Sequence, residues 1–81
     1  LTADLKFENQ IKKLKVNIGK KHGLSFNSIA FTRGTNTPWV IFKVDDLDNN
    51  NAILSPIDQR RDIKELDGKL VEFMEVLWLD Y

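Results

Sequence analysis

The stretch Ile63 to Tyr81, IKELDGKLVEFMEVLWLDY, holds more apolar material than any other part of this 81-residue chain, and the fold turns on how it is read. At helical spacing Ile63, Leu66, Leu70, Phe73, Met74, Leu77, Trp78 and Tyr81 fall on one side. They cover an arc of roughly 160°, wide enough for the main wall of a small core. Lys64, Glu65, Lys69, Glu72, Glu75 and Asp80 fall opposite. The pattern predicts a long amphipathic C-terminal helix. A second reading stands beside it, because Asp67-Gly68 is a hairpin signal. Ile63 and Leu66 differ in parity and would point to opposite faces of a sheet, so the arm before the glycine fails as a strand. The variant that survives is a helical turn followed by a strand over 69–81, as in many small β-barrels.

Working back from this stretch, Ser55-Pro56 reads as an N-cap followed by proline at the first helical position. Asp45–Asn51 (DDLDNNN) is a polar breaker. Leu24–Thr32 and Trp39–Val44 are rich in strand formers and flank the turn residues Arg33-Gly34-Thr35-Asn36-Thr37-Pro38, which predicts a β-hairpin. Trp39–Val44 is apolar on both faces except at Lys43. At the N-terminus Phe7, Ile11, Leu14 and Ile18 form one stripe at i, i+4, i+7 and i+11, predicting a helix over about 3–22. Thr2 would cap it, and Lys20, Lys21, His22 and Gly23 would close it. A rival strand at Leu14–Ile18 alternates apolar with polar residues. The expected fold is therefore a single α+β domain over 1–81: N-terminal helix, central hairpin, long C-terminal helix. The small β-barrel is the alternative.

Composition narrows the function. A chain of this size buries only about 60–65% of the surface its unfolded form exposes, so modest stability or oligomerisation is expected. Cysteine is absent, which removes disulfides, thiolate metal sites and cysteine nucleophiles and favours a cytoplasmic setting. No apolar run exceeds four residues, too few to span a bilayer, and no signal peptide is visible. The leading leucine is consistent with a trimmed terminus or an excised domain. Formal net charge is zero, yet residues 1–43 hold eight basic side chains against two acidic ones, a balance of +6. Residues 44–81 hold four against ten, a balance of −6. A basic half points to a polyanion, unless the two halves screen each other on folding.

Catalytic material is sparse. His22 sits beside two lysines, none of the three serines lies in a nucleophile elbow, and Glu72 and Glu75 share the polar helix face. Asp46–Asn51 begins like a calcium loop, but Ile57 occupies the place of the bidentate glutamate. No enzyme, cofactor, metal or small-molecule substrate is expected.

Two binding constellations remain. Lys12, Lys13, Lys15, Lys20 and Lys21, followed by Phe26, Phe31, Arg33, Trp39 and Phe42, combine cations with rings, the pairing that holds single-stranded nucleic acid. Lys12, Lys13, Lys20, Lys21 and Arg33 are the expected backbone contacts to DNA or RNA. Residues 18–29 also match the spacing of a helix-turn-helix until Thr32 replaces an apolar anchor. The second constellation is Val76, Trp78, Leu79 and Tyr81, an apolar helix end suited to a protein partner or a second copy.

Overall fold

The strand reading of the C-terminal stretch prevails. The computed structural model describes residues 1–58 and 62–75. Within them seven strands form one antiparallel sheet: β1 Thr2–Asp4, β2 Lys6–Glu8, β3 Lys13–Val16, β4 Ser28–Arg33, β5 Ile41–Leu47, β6 Ala52–Pro56 and β7 Leu70–Glu75. Their spatial order is β1-β7-β4-β5-β6-β3-β2. The two outermost strands are halves of one bent segment. Leu5, between them, donates its N–H to the Lys69 carbonyl (2.8 Å) and accepts from the Gly68 N–H (2.8 Å). β1 thus pairs with β7 and β2 with β3, so the segment brings the ends of the sheet together into a nearly closed barrel. Closure leaves little unpaired edge.

This architecture corrects the α+β expectation, and the reasons are local. The only helical pieces among the described residues are two 3-10 turns, Lys20–His22 and Ile63–Leu66. A long C-terminal helix cannot pass Gly68, which takes the left-handed φ of +81° that suits a residue without Cβ. Beyond it the chain alternates: Val71 and Phe73 point into the core, while Leu70 (41% exposed) and Met74 (52% exposed) point out. Only Ile63–Leu66 makes a turn of helix, and it drives Leu66 (0% exposed) into the barrel. Asp67 then accepts the Phe7 N–H on its carboxylate (2.8 Å), tying that turn to β2.

The N-terminal helix over 3–22 is likewise replaced by β1, β2, β3 and a 3-10 turn. The chain reverses after Glu8, whose carbonyl accepts the Lys12 N–H (2.9 Å), with Lys12 itself at φ +55°. Leu14 and Val16 face inward and Ile11 lies exposed, so parity rather than the helical stripe decides. Residues 18–29 hold no recognition helix, since Ser28 and Ile29 open β4. Ser55 and Pro56 end β6 instead of starting a helix. The hairpin strands do pair, with Ile29↔Lys43, Ala30↔Phe42 and Phe31↔Ile41 in register, and β5 runs on to Leu47, three residues into the expected breaker.

The core is built on unequal partners. Ala30 on β4 lies opposite Phe42 on one side and Phe73 on the other, so a small residue makes room for two rings in a narrow barrel. Phe42, Leu5, Leu14, Leu54, Leu66, Val16 and Val71 are the largest fully enclosed side chains.

Candidate nucleic-acid interface

The outward side of the β4–β5 hairpin differs from the inward one. On β4, Ile29, Phe31 and Arg33 alternate with the inward Ser28, Ala30 and Thr32; on β5, Ile41 and Lys43 alternate with Phe42 and Val44. Trp39, which precedes β5 with the same parity as Ile41, is 65% exposed, and its ring lies 5.3 Å from that of Phe31 at a 38° tilt. Arg33 stands at the loop end of this strip. Lys43, opposite Ile29, stands at the other end. Phe31 thus lies along the ladder between two cations, with the Trp39 ring against it from the segment ahead of β5.

Thr32 holds the loop that presents Trp39. It is buried, its hydroxyl donates to the Pro38 carbonyl (2.6 Å), and it accepts the Val40 N–H (3.0 Å). The residue that breaks the helix-turn-helix spacing therefore has a structural task of its own. Thr32→Val keeps the shape and strands a buried donor, an expected loss of about 1–3 kcal/mol in chemical denaturation. A loss below about 0.5 kcal/mol would contradict this role.

The sequence-predicted contacts separate. Lys12 and Lys13 line a groove of about 350 Å³ with Lys43, Asp45, Ser55 and Pro56. Lys13 pairs with Asp45 (Nζ–Oδ2 2.8 Å), and Lys12 hydrogen-bonds Asn9 (2.8 Å). Arg33 lies 3.8 Å from Glu72, a loose pair on the exposed face and worth little to stability. Lys20 and Lys21 are elsewhere. They sit at the far end of β5, where their N–H groups donate to the carbonyls of Asp48 (2.8 Å) and Asn49 (3.2 Å). His22 closes that same turn, its Nδ1 accepting the Gly19 N–H (3.0 Å). The basic and acidic halves of the chain therefore interleave at these pairs. Val76, Trp78, Leu79 and Tyr81 lie outside the described residues.

The strip's central members were partly legible in the sequence. Phe31 and Trp39 stand in the cation-and-ring constellation, whereas Phe42 from the same constellation is core. Lys43 was missed as a contact. The signal for it was parity, since Trp39, Ile41 and Lys43 share one face of a strand and Val40, Phe42 and Val44 share the other.

Among the described residues, the carboxyl groups of Asp45 and Asp48 are perturbed. Burial works to raise the Asp45 carboxyl, but hydrogen bonds from Lys13 and Ser55 and the charges of Lys13 and Lys43 hold it below the ordinary value. The Asp48 carboxyl is lowered by the N–H groups of Asn50 (2.9 Å) and Asn51 (2.7 Å), which it accepts in the β5–β6 turn. That is the loop whose sequence begins like a calcium site. Among the described residues no cluster of three or more histidine or carboxylate side chains could hold a metal ion. Because both groups have depressed values, the unfolded chain takes up protons first as pH falls. Stability from these two groups should be unchanged between pH 5 and pH 8, begin to drop near the ordinary aspartate value of about 4, and decline further below it. In acid titrations followed by circular dichroism, Asp45→Asn and Asp48→Asn should each flatten the decline; an unaltered profile in both would refute the assignment.

Among the described residues no helix is long and apolar enough to cross a membrane. No family model matches this chain, and no curated protein or solved structure matches it either.

Proposed function

We propose that this protein is a non-enzymatic binding protein whose outer hairpin face holds single-stranded nucleic acid. The observation that carries the reading is Trp39, an indole 65% exposed, braced by Phe31 at 5.3 Å between Arg33 and Lys43. Large rings are ordinarily drawn into a core, and a ring held out just ahead of β5, on a loop that Thr32 ties down, beside cations suits stacking on bases. Of the sequence-predicted contacts, Arg33, Lys12 and Lys13 border this face, while Lys20 and Lys21 do not. A cytoplasmic setting accords with a chain free of cysteine.

The test is fluorescence anisotropy on labelled oligonucleotides over a salt series. With three or four phosphate contacts, the logarithm of the binding constant should fall against the logarithm of salt concentration with a slope of about −2 to −3. Absence of binding to DNA and RNA at low salt overturns the reading.

A second reading, a surface for a protein partner or a second copy, draws on Ile57 (59% exposed) and Met74, both apolar and outward. Sedimentation across a wide concentration range separates the two. Self-association abolished by Met74→Lys favours the second reading; a persistent monomer counts against self-association there.

A further inference from the structure

The geometry points to a divided nucleotide site on this face, with a base subsite at Trp39, Ile41 and Ile57 and a phosphate subsite at Lys12, Lys13 and Lys43. It deepens the single-strand reading and rests on it.

Two hollows lie side by side along β5. The first, about 210 Å³, is bounded by Trp39, Val40, Ile41, Ile57 and Asp58. It is smaller than the roughly 300–1,000 Å³ of pockets that enclose whole small molecules, which suits one ring system. Its walls are largely apolar, an exposed indole and branched aliphatic side chains, with one acidic residue, Asp58, on its border. Ile57 is fixed there because its N–H donates to the Ile41 carbonyl (2.9 Å), continuing the β5–β6 ladder beyond Pro56. The second hollow is the lysine groove, bordered by three lysines and one carboxylate, Asp45, which the Lys13 ammonium holds at 2.8 Å. Ile41 borders the first and Lys43 the second. They stand two steps apart on the strand, about 7 Å.

Neither hollow alone identifies a ligand. Together they set an apolar, flat-walled slot beside an excess of positive charge, the arrangement a nucleotide presents in mirror image, with its base beside its phosphate. Only an unstacked base can enter the first hollow, so the partner is single-stranded; a duplex keeps its bases inside the stack. The Asp45 carboxylate holds Lys13 in the groove and limits the net charge, which favours a single phosphate over a dense polyanionic surface.

The experiment uses the whole chain, a fluorescein-labelled thymidine dodecamer, its uridine counterpart, an abasic dodecamer with the same backbone, and a duplex. Trp39→Ala should weaken binding to the thymidine dodecamer about 5- to 150-fold while keeping the salt slope, and Trp39→Phe should restore most of it. Lys43→Gln should reduce the magnitude of the salt slope by about 0.7. The abasic oligomer should bind wild type weakly and be indifferent to Trp39→Ala. Comparison of the thymidine and uridine oligomers separates DNA from RNA as the source of the base. The inference is overturned if the abasic oligomer or the duplex binds as tightly as the thymidine dodecamer, or if Trp39→Ala leaves affinity unchanged. A tight abasic oligomer or an indifferent Trp39→Ala removes the base subsite alone and leaves salt-dependent single-strand binding standing, whereas a duplex that binds as tightly overturns the single-strand reading as well. If no oligomer binds at low salt, both fall.

Discussion

Phe42→Ala should lower stability by about 3–5 kcal/mol, the range for a large ring removed from a packed interior. Phe42 is 0% exposed and lies opposite Ala30 and Pro56 on the two flanking strands. Neither neighbour can fill the space, because alanine is too short and proline is fixed by its ring. A chain of 81 residues has only about 4–12 kcal/mol in total. The melting temperature should therefore fall by at least about 12 °C, and at the upper end of the loss the chain is largely unfolded at body temperature. Phe26→Ala is the matched comparison. That ring is 60% exposed, and its removal should shift stability by less than about 0.5 kcal/mol. Equal losses for the two variants would contradict the barrel interior described above.

Gly19→Ala should be nearly as damaging, although it adds a single methyl group. A Cβ at Gly19 would lie 2.2 Å from the Asp48 carbonyl oxygen and 2.8 Å from both the Asn49 carbonyl carbon and the Asn51 nitrogen. These are backbone atoms that cannot rotate aside, so the whole Asp48–Asn51 turn must move. Its displacement would break the bonds from the Lys20 and Lys21 N–H groups to Asp48 and Asn49. Overpacking and two lost hydrogen bonds together suggest a loss of about 2–5 kcal/mol. Gly23 provides the contrast. It has a left-handed φ of +99° but nothing within 4 Å of its would-be Cβ, so Gly23→Ala should cost about 1–2 kcal/mol. Urea unfolding of the two alanine variants checks the order; Gly23→Ala as the more harmful would refute the close-approach argument.

These two positions also show why the sequence could be read only in part. Gly19 falls inside the expected N-terminal helix with no visible reason to be glycine, because the segment that needs its missing side chain, Asp48–Asn51, is remote in sequence. The turn between β2 and β3 contains neither glycine nor proline. Lys12 takes the left-handed conformation there at φ +55°, and nothing in its chemistry announces it. With that reversal hidden, Phe7, Ile11, Leu14 and Ile18 kept a helical period across what are two strands and a turn. The last stretch was ambiguous for a different reason. Leu70, Phe73 and Met74 satisfy i, i+3, i+4, while Val71 and Phe73 satisfy strand alternation, and both patterns lie within six residues. Gly68 was the deciding residue, and its left-handed conformation favours the barrel alternative. The hairpin was legible because Gly34 and Pro38 punctuate it and because Leu24–Thr32 and Trp39–Val44 are rich in strand formers.

For the candidate site, the residue types were legible and their placement was not. Cations and rings alternate along the first half of the chain, but only the register of β4 against β5 puts Phe31, Arg33, Trp39 and Lys43 on one face. The same register sends Phe42 inward. Lys20 and Lys21, separated from Lys15 by four residues in sequence, are carried to the opposite end of β5 by their contacts with Asp48 and Asn49.

The most direct measurement is a two-dimensional amide NMR titration of the labelled protein with a thymidine dodecamer at low salt. The account predicts that the largest shifts fall on 29–33, 39–43 and 55–57, with the Trp39 indole N–H among them, while the amides of Lys20–His22 and Asp48–Asn51 stay in place. Shifts concentrated at that far end of the barrel, or no shifts at all, would contradict it.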